Sequence, residues 1–78
     1  MRPVKRWQSK RGKYWIQLNE YDTGGFSYRT DNGGGNLGNI NEADAIAQVE
    51  KRVNDLAKYD GINLKEVPPV DYWEENHE

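Results

Sequence analysis

Between Asn41 and Gly61 apolar residues return every three or four positions: Ala43, Ile46, Val49 with Ala47 beside it, Val53, Leu56 and Ala57. That spacing draws one stripe along a 3.6-residue helix, and Gln48, Lys51, Arg52, Asn54, Asp55 and Lys58 fill the other side. Asn41 suits the N-cap, where its side-chain oxygen meets a free N–H of the first turn, and Glu42 and Asp44 set negative charge against the positive end of the helix dipole. Gly61 suits a left-handed C-cap after Tyr59 and Asp60. The pattern predicts a single amphipathic helix of about five turns. Its stripe needs a sheet to lie on.

The period changes to two between Lys13 and Tyr21. Tyr14, Ile16 and Leu18 share one face, and Lys13, Trp15, Gln17, Asn19 and Tyr21 the other. Asp22-Thr23-Gly24-Gly25 supplies a turn, and Phe26, Tyr28 and Thr30 then alternate with Ser27 and Arg29, completing a hairpin. Asp31-Asn32-Gly33 is a second turn signal, because Asn-Gly accepts the positive dihedrals of tight hairpins. The glycine-rich segment after it predicts either a short third strand over Asn36 to Ile40 or an irregular lead into the helix. A last strand is expected over Ile62 to Val67, with Ile62 and Leu64 inward, ended by Pro68-Pro69. The expected class is α+β: a small antiparallel sheet of three to four strands packed on one amphipathic helix, in the order ββ(β)αβ. Residues 1–12 read as a basic arm, with a short strand around Val4 to Trp7 joining the sheet edge, 13–67 as the domain, and 68–78 as an acidic tail. That tail is expected either to be disordered or to fold Tyr72 and Trp73 back on the domain.

With 78 residues and no cysteine, the chain has room for one core and for neither disulfides nor thiolate metal sites. Cysteine-free composition fits a reducing, cytoplasmic setting. Met1-Arg2-Pro3-Val4-Lys5-Arg6-Trp7 has no apolar run behind its basic start, so no secretory signal is expected. No membrane span is expected either, because no stretch approaches about 20 apolar residues. The net charge of −2 conceals a division. Residues 1–29 hold seven cations against two acids, whereas residues 30–78 hold four against eleven. Such a dipole orients charged partners or lets the tail screen the basic half.

If the helix covers Tyr14, Ile16, Leu18, Phe26 and Tyr28, the other face of the hairpin presents Lys13, Trp15, Gln17, Asn19, Tyr21, Ser27 and Arg29. Rings beside cations on a rigid sheet suit stacking on bases and neutralising phosphates, or anchoring a protein partner. The arm, with Arg2, Lys5, Arg6, Lys10 and Arg11, would extend that surface. The other reading of the same residues is a small second core, in which Trp7 or Trp73 covers Trp15 and Tyr21.

The Gly33-Gly34-Gly35-Asn36-Leu37-Gly38 segment precedes a helix but lacks the Gly-Lys-Ser/Thr ending of a phosphate loop, and reads as a turn. Catalysis is not expected. The single histidine, His77, lies in the tail with Glu74 and Glu75, and neither Ser9 nor Ser27 has an orienting base in view. No metal or other cofactor is expected. The acids Glu66, Asp71, Glu74, Glu75 and Glu78 either pair with the chain's own cations, dock on a basic groove of a partner, or solubilise the end.

The Arg11-Gly12-Lys13-Tyr14-Trp15-Ile16 hairpin, running into a second strand and a helix, resembles the arm-type DNA-binding domains at the start of phage integrases, over about residues 11–59. That resemblance implies a three-stranded sheet entering the major groove, with Lys13, Trp15, Gln17, Ser27 and Arg29 facing DNA. In size and plan the chain also looks like small stand-alone accessory proteins of phages and mobile elements, including anti-CRISPR and other anti-defence inhibitors. That likeness implies occupation of a surface on a nucleic-acid-handling protein complex, without chemistry. It accommodates the charge division better, since a stand-alone nucleic-acid binder is expected to be basic overall. The leading expectation is therefore a non-catalytic binding protein for a protein partner, and the alternative is a DNA- or RNA-binding module. The expected state is a monomer or an edge-paired homodimer.

Overall fold

A computed structural model describes residues 1–71. The expectations placed on Tyr72, Trp73, Glu74, Glu75, His77 and Glu78 lie outside the described residues. Four strands precede the helix and one follows: β1 (Arg2–Gln8), β2 (Trp15–Glu20), β3 (Phe26–Thr30), β4 (Gly33–Gly38), α1 (Glu42–Asp60) and β5 (Lys65–Val67). They form an antiparallel sheet in the order β4-β3-β2-β1-β5, with α1 across one face. The α+β class and the helix-on-sheet architecture are those read from the sequence.

The sheet is wider than three or four strands because the basic arm is itself a strand. Residues 2–8 pair with β2 on one side and β5 on the other, so β1 lies inside the sheet and not at its edge. A register shift between Pro3 and Lys5 inserts Val4 as a bulge, which breaks the alternation that would have marked the strand.

The core follows from the two periods. Ile16 and Leu18 on β2, Phe26 on β3 and Trp7 on β1 meet Ala45, Val49 and Val53 of α1, with Leu18, Ala45 and Val49 wholly out of water. Full burial of each larger side chain is worth about 1.5–3 kcal/mol. Tyr28, Leu37, Ile40, Ile46 and Leu64 pack partly buried around this centre. The buried stripe of α1 runs through Ala45, whereas Ala43, Ala47 and Ala57 are exposed. Alanine is small enough to sit on either face, so the large residues decide the helix's rotation. Asn41 caps α1 by accepting from the Asp44 N–H at 2.8 Å, and Gly61 closes it in the left-handed region at φ 66°. Ile62 donates its N–H to the Leu56 carbonyl, so the final strand begins only at Lys65.

The glycine segment, read as a turn with a strand after it, is β4 itself. Its hairpin turn is Asp31-Asn32, closed by the Thr30–Gly33 pair, and Asn32 keeps an ordinary negative φ. Two of its glycines have a steric cause. A Cβ on Gly34 would collide with the Tyr28 carbonyl oxygen, and one on Gly35 would stand 2.8 Å from the Tyr28 hydroxyl. The Tyr28 ring therefore lies close against Gly35, with the Arg52 guanidinium 4.5 Å from the ring centroid. Far from this edge, Arg2 ties three elements, donating to Glu20 at 2.8 Å and to Glu42 at 2.6 Å.

Candidate functional site

Alternation turns Trp15, Gln17 and Asn19 of β2, and Ser27 and Arg29 of β3, away from the helix. The register sets Arg6 of β1 beside Gln17, Arg29 on the far side of Gln17, Gln8 beside Trp15 and Ser27 beside Asn19. The outer face thus has a polar centre with a ring at one end.

That centre is buried. Gln17 is 0 % exposed, Asn19 2 %, Ser27 7 % and Arg6 8 %. Gln17 uses its whole hydrogen-bonding capacity, two donors and two acceptor sites. Its Nε2 donates to Asn19 Oδ1 at 2.9 Å and to the Val70 carbonyl at 2.7 Å. Its Oε1 accepts from an Arg6 guanidinium nitrogen at 3.1 Å and from the Val70 N–H at 3.0 Å. Arg6 also donates to Gln8 Oε1 at 3.2 Å and stacks on the Trp15 ring, 4.3 Å from its centroid. A desolvated guanidinium needs such partners, because an unpaired buried charge is costly. Among the described residues Asn19 Nδ2 is buried without a hydrogen-bond partner.

Beyond this centre the face opens into a concavity of about 620 Å³ bordered by Trp15, Tyr21, Ser27, Arg29 and the glycines of β4. Gly33, Gly34 and Gly35 line its β4 side with backbone alone. A second concavity, of about 490 Å³, lies on the helix side between Tyr14, Tyr28, Arg52, Asp55 and Tyr59.

The seven residues expected on one exposed face therefore divide. Arg29 is exposed, and Trp15 and Tyr21 are half-buried. Gln17, Asn19 and Ser27 are buried, a correction whose cause is cover: a period of two fixes the face a residue occupies but not what lies over it. Lys13 is in the loop between β1 and β2, exposed, with its ammonium 5.3 Å from the Tyr14 ring.

The arm residues divide as well. Lys10 and Arg11 are exposed in the same loop as Lys13. Arg2 pairs with Glu20 and Glu42, Lys5 lies 3.6 Å from Glu66, and Arg6 belongs to the buried centre. The Arg2 pKa is raised above the ordinary guanidinium value, first by the hydrogen bond to Glu42 and then by that to Glu20. Gln8 and Val70 were not among the expected site residues. Gln8 had a signal in its two-residue spacing from Arg6, but Val70 had none, being 53 residues from Gln17.

No group of three or more His, Cys, Asp or Glu side chains comes together among the described residues, and no helix there is long and apolar enough to cross a membrane. Comparison with protein-family models, curated proteins and solved structures returned no match.

Proposed function

We propose that this is a non-catalytic binding protein that occupies the surface of a protein partner, in the style of phage or mobile-element anti-defence inhibitors, the partner being a complex that handles nucleic acid. A cytoplasmic setting belongs to the same reading. The observation that carries the protein-binding part is the grip of Gln17 on both backbone groups of Val70. The outer face already holds polypeptide backbone through a paired donor and acceptor. Beside that grip it presents Trp15, Tyr21 and Arg29 around a concavity, the residue types in which interface energy concentrates. The anti-defence part rests on the likeness in size and plan and on the charge division.

The same geometry argues against phosphate as the main ligand. Arg2, Lys5 and Arg6 are engaged with Glu20, Glu42, Glu66 and Gln17 inside the fold, which reduces the positive charge available to displace counterions. One observation favours the second reading, a nucleic-acid module: Lys10, Arg11 and Lys13 stand exposed together in the β1–β2 loop.

The test is affinity capture from host lysate treated with nuclease, comparing the native protein with Trp15→Ala and Arg29→Ala, each checked for native folding. A protein retained after nuclease treatment and reduced at least tenfold by Trp15→Ala is the expected result. Retention that disappears with nuclease treatment, or is indifferent to both substitutions, contradicts the proposal.

A further inference from the structure

The two edges of the sheet are built differently. β5 is three residues long, carries Lys65 and Glu66, and runs into Pro68-Pro69. Short length, charge and proline are the devices that keep an edge from pairing with another chain. β4 has none of them: it runs for six residues, GGGNLG, without a charge or a proline. Among the described residues its backbone bonds to β3 and, at the Gly38 N–H, to the Asn36 side chain at 2.9 Å, and nothing pairs with its other side. Because the Thr30–Gly33 and Tyr28–Gly35 pairs face inward, Gly34 and Asn36 turn their N–H and C=O groups outward.

We propose that β4 is a strand-addition edge, which takes up an extended acidic segment of a partner protein as a sixth strand. This rests on the protein-binding reading above and names the mode. A second copy is a poor occupant. A strip about 20 Å long, without side chains at four of its six positions, offers a copy of itself little contact, whereas a stable interface buries about 800 Å² per partner. The glycine edge suits a segment that brings its own side chains. Backbone pairing then supplies affinity and every second side chain supplies specificity. The side chains on the outer side of the added strand meet the concavity bordered by Arg29, Ser27, Tyr21 and Trp15, whose lining residues carry one guanidinium, four hydroxyls and an indole N–H, and include Met1 with its ammonium on Asp22, but hold no carboxylate of their own. An aspartate or glutamate complements that set, as does the rigid ladder beside it for an extended backbone.

The test is selection of random dodecapeptides displayed on phage against the whole protein, followed by titration of the recovered peptides into 15N-labelled protein. The expected peptides carry acidic residues at alternate positions and shift the amides of residues 33–38 before all others. Methylating alternate peptide nitrogens weakens them at least tenfold. Asn36→Glu, which keeps an acceptor for Gly38 but adds like charge beside the concavity, weakens them by a similar factor, and Asn36→Pro, which removes an outward N–H, does so without reference to charge. Recovery of no peptides, perturbations centred on another surface, indifference to N-methylation, or a dimer in sedimentation that Asn36→Glu disperses would each overturn the proposal. If the lysate partner is lost with Trp15→Ala but kept with Asn36→Glu and Asn36→Pro, the binding-protein reading stands and the edge-strand mode fails.

Discussion

The Gln17 carboxamide holds Val70 by both backbone polar groups, donating to its carbonyl at 2.7 Å and accepting from its N–H at 3.0 Å. A side chain in the middle of β2 thereby acts as a short piece of strand edge turned out of the sheet plane. It fixes the segment after Pro68-Pro69 across the outer face and orients the Arg6 guanidinium over Trp15.

Replacing Gln17 with Leu keeps the side chain's bulk but strands the two Val70 backbone groups, an Arg6 donor and the Asn19 oxygen. The expected loss is about 2–4 kcal/mol, from several buried groups left unpaired. In a domain of this size each kcal/mol lowers the melting midpoint by about 4–8 °C. Urea unfolding gives the free energy, and the exchange rate of the Val70 amide should rise in the same variant.

Gly35→Ala places a methyl 2.8 Å from the Tyr28 hydroxyl and 2.9 Å from a ring carbon. The ring must move off β4, disturbing its stack with Arg52, at a cost of about 1–3 kcal/mol for overpacking. Gly34→Ala is expected to cost more, because its methyl collides with the backbone oxygen of Tyr28, which no rotamer change relieves. Thermal unfolding of both variants should show that order.

Asn41→Ala removes the acceptor for the Asp44 N–H and should destabilise the protein by about 1 kcal/mol. The effect should appear as faster amide exchange confined to the first turn of α1.

Much of this fold is legible where its causes are local. The helix is bounded by Asn41 and Gly61 because a cap needs only its own few residues, and the β2–β3 hairpin follows from alternation on either side of Gly24 and Gly25. Other parts depend on distant neighbours. β1 is legible only as a short edge strand around Val4 to Trp7, because the bulge at Val4 breaks its alternation, and its cations resemble those of a free arm until Glu20, Glu42 and Glu66 are brought beside them. β4 has almost no pattern because its glycines answer to Tyr28 on the adjacent strand. In the candidate site, the face of Gln17, Asn19 and Ser27 is readable from parity, but their burial depends on groups such as Val70 that no local rule connects to them.

Arg2→Met should cost less than about 1 kcal/mol despite breaking two ion pairs, since exposed pairs are worth little. Its pKa is higher in the folded state, so its contribution is fully present below the ordinary guanidinium pKa and is lost only as pH rises through the raised value. Arg2 should therefore add no pH dependence near neutrality, and the difference between native and variant should narrow at high salt. Urea titrations at two salt concentrations check both points.

As proposed, the outer face binds polypeptide and does not bind nucleic acid. Fluorescence anisotropy of labelled single- and double-stranded DNA and RNA against the purified protein, at low and physiological salt, tests it most directly. No saturable binding is expected at physiological salt, and only weak binding at low salt that falls away when Lys10, Arg11 and Lys13 are replaced by Ala. Saturable binding that persists at physiological salt, with a steep salt slope that Arg29→Ala reduces, would contradict it and make the outer face a nucleic-acid surface.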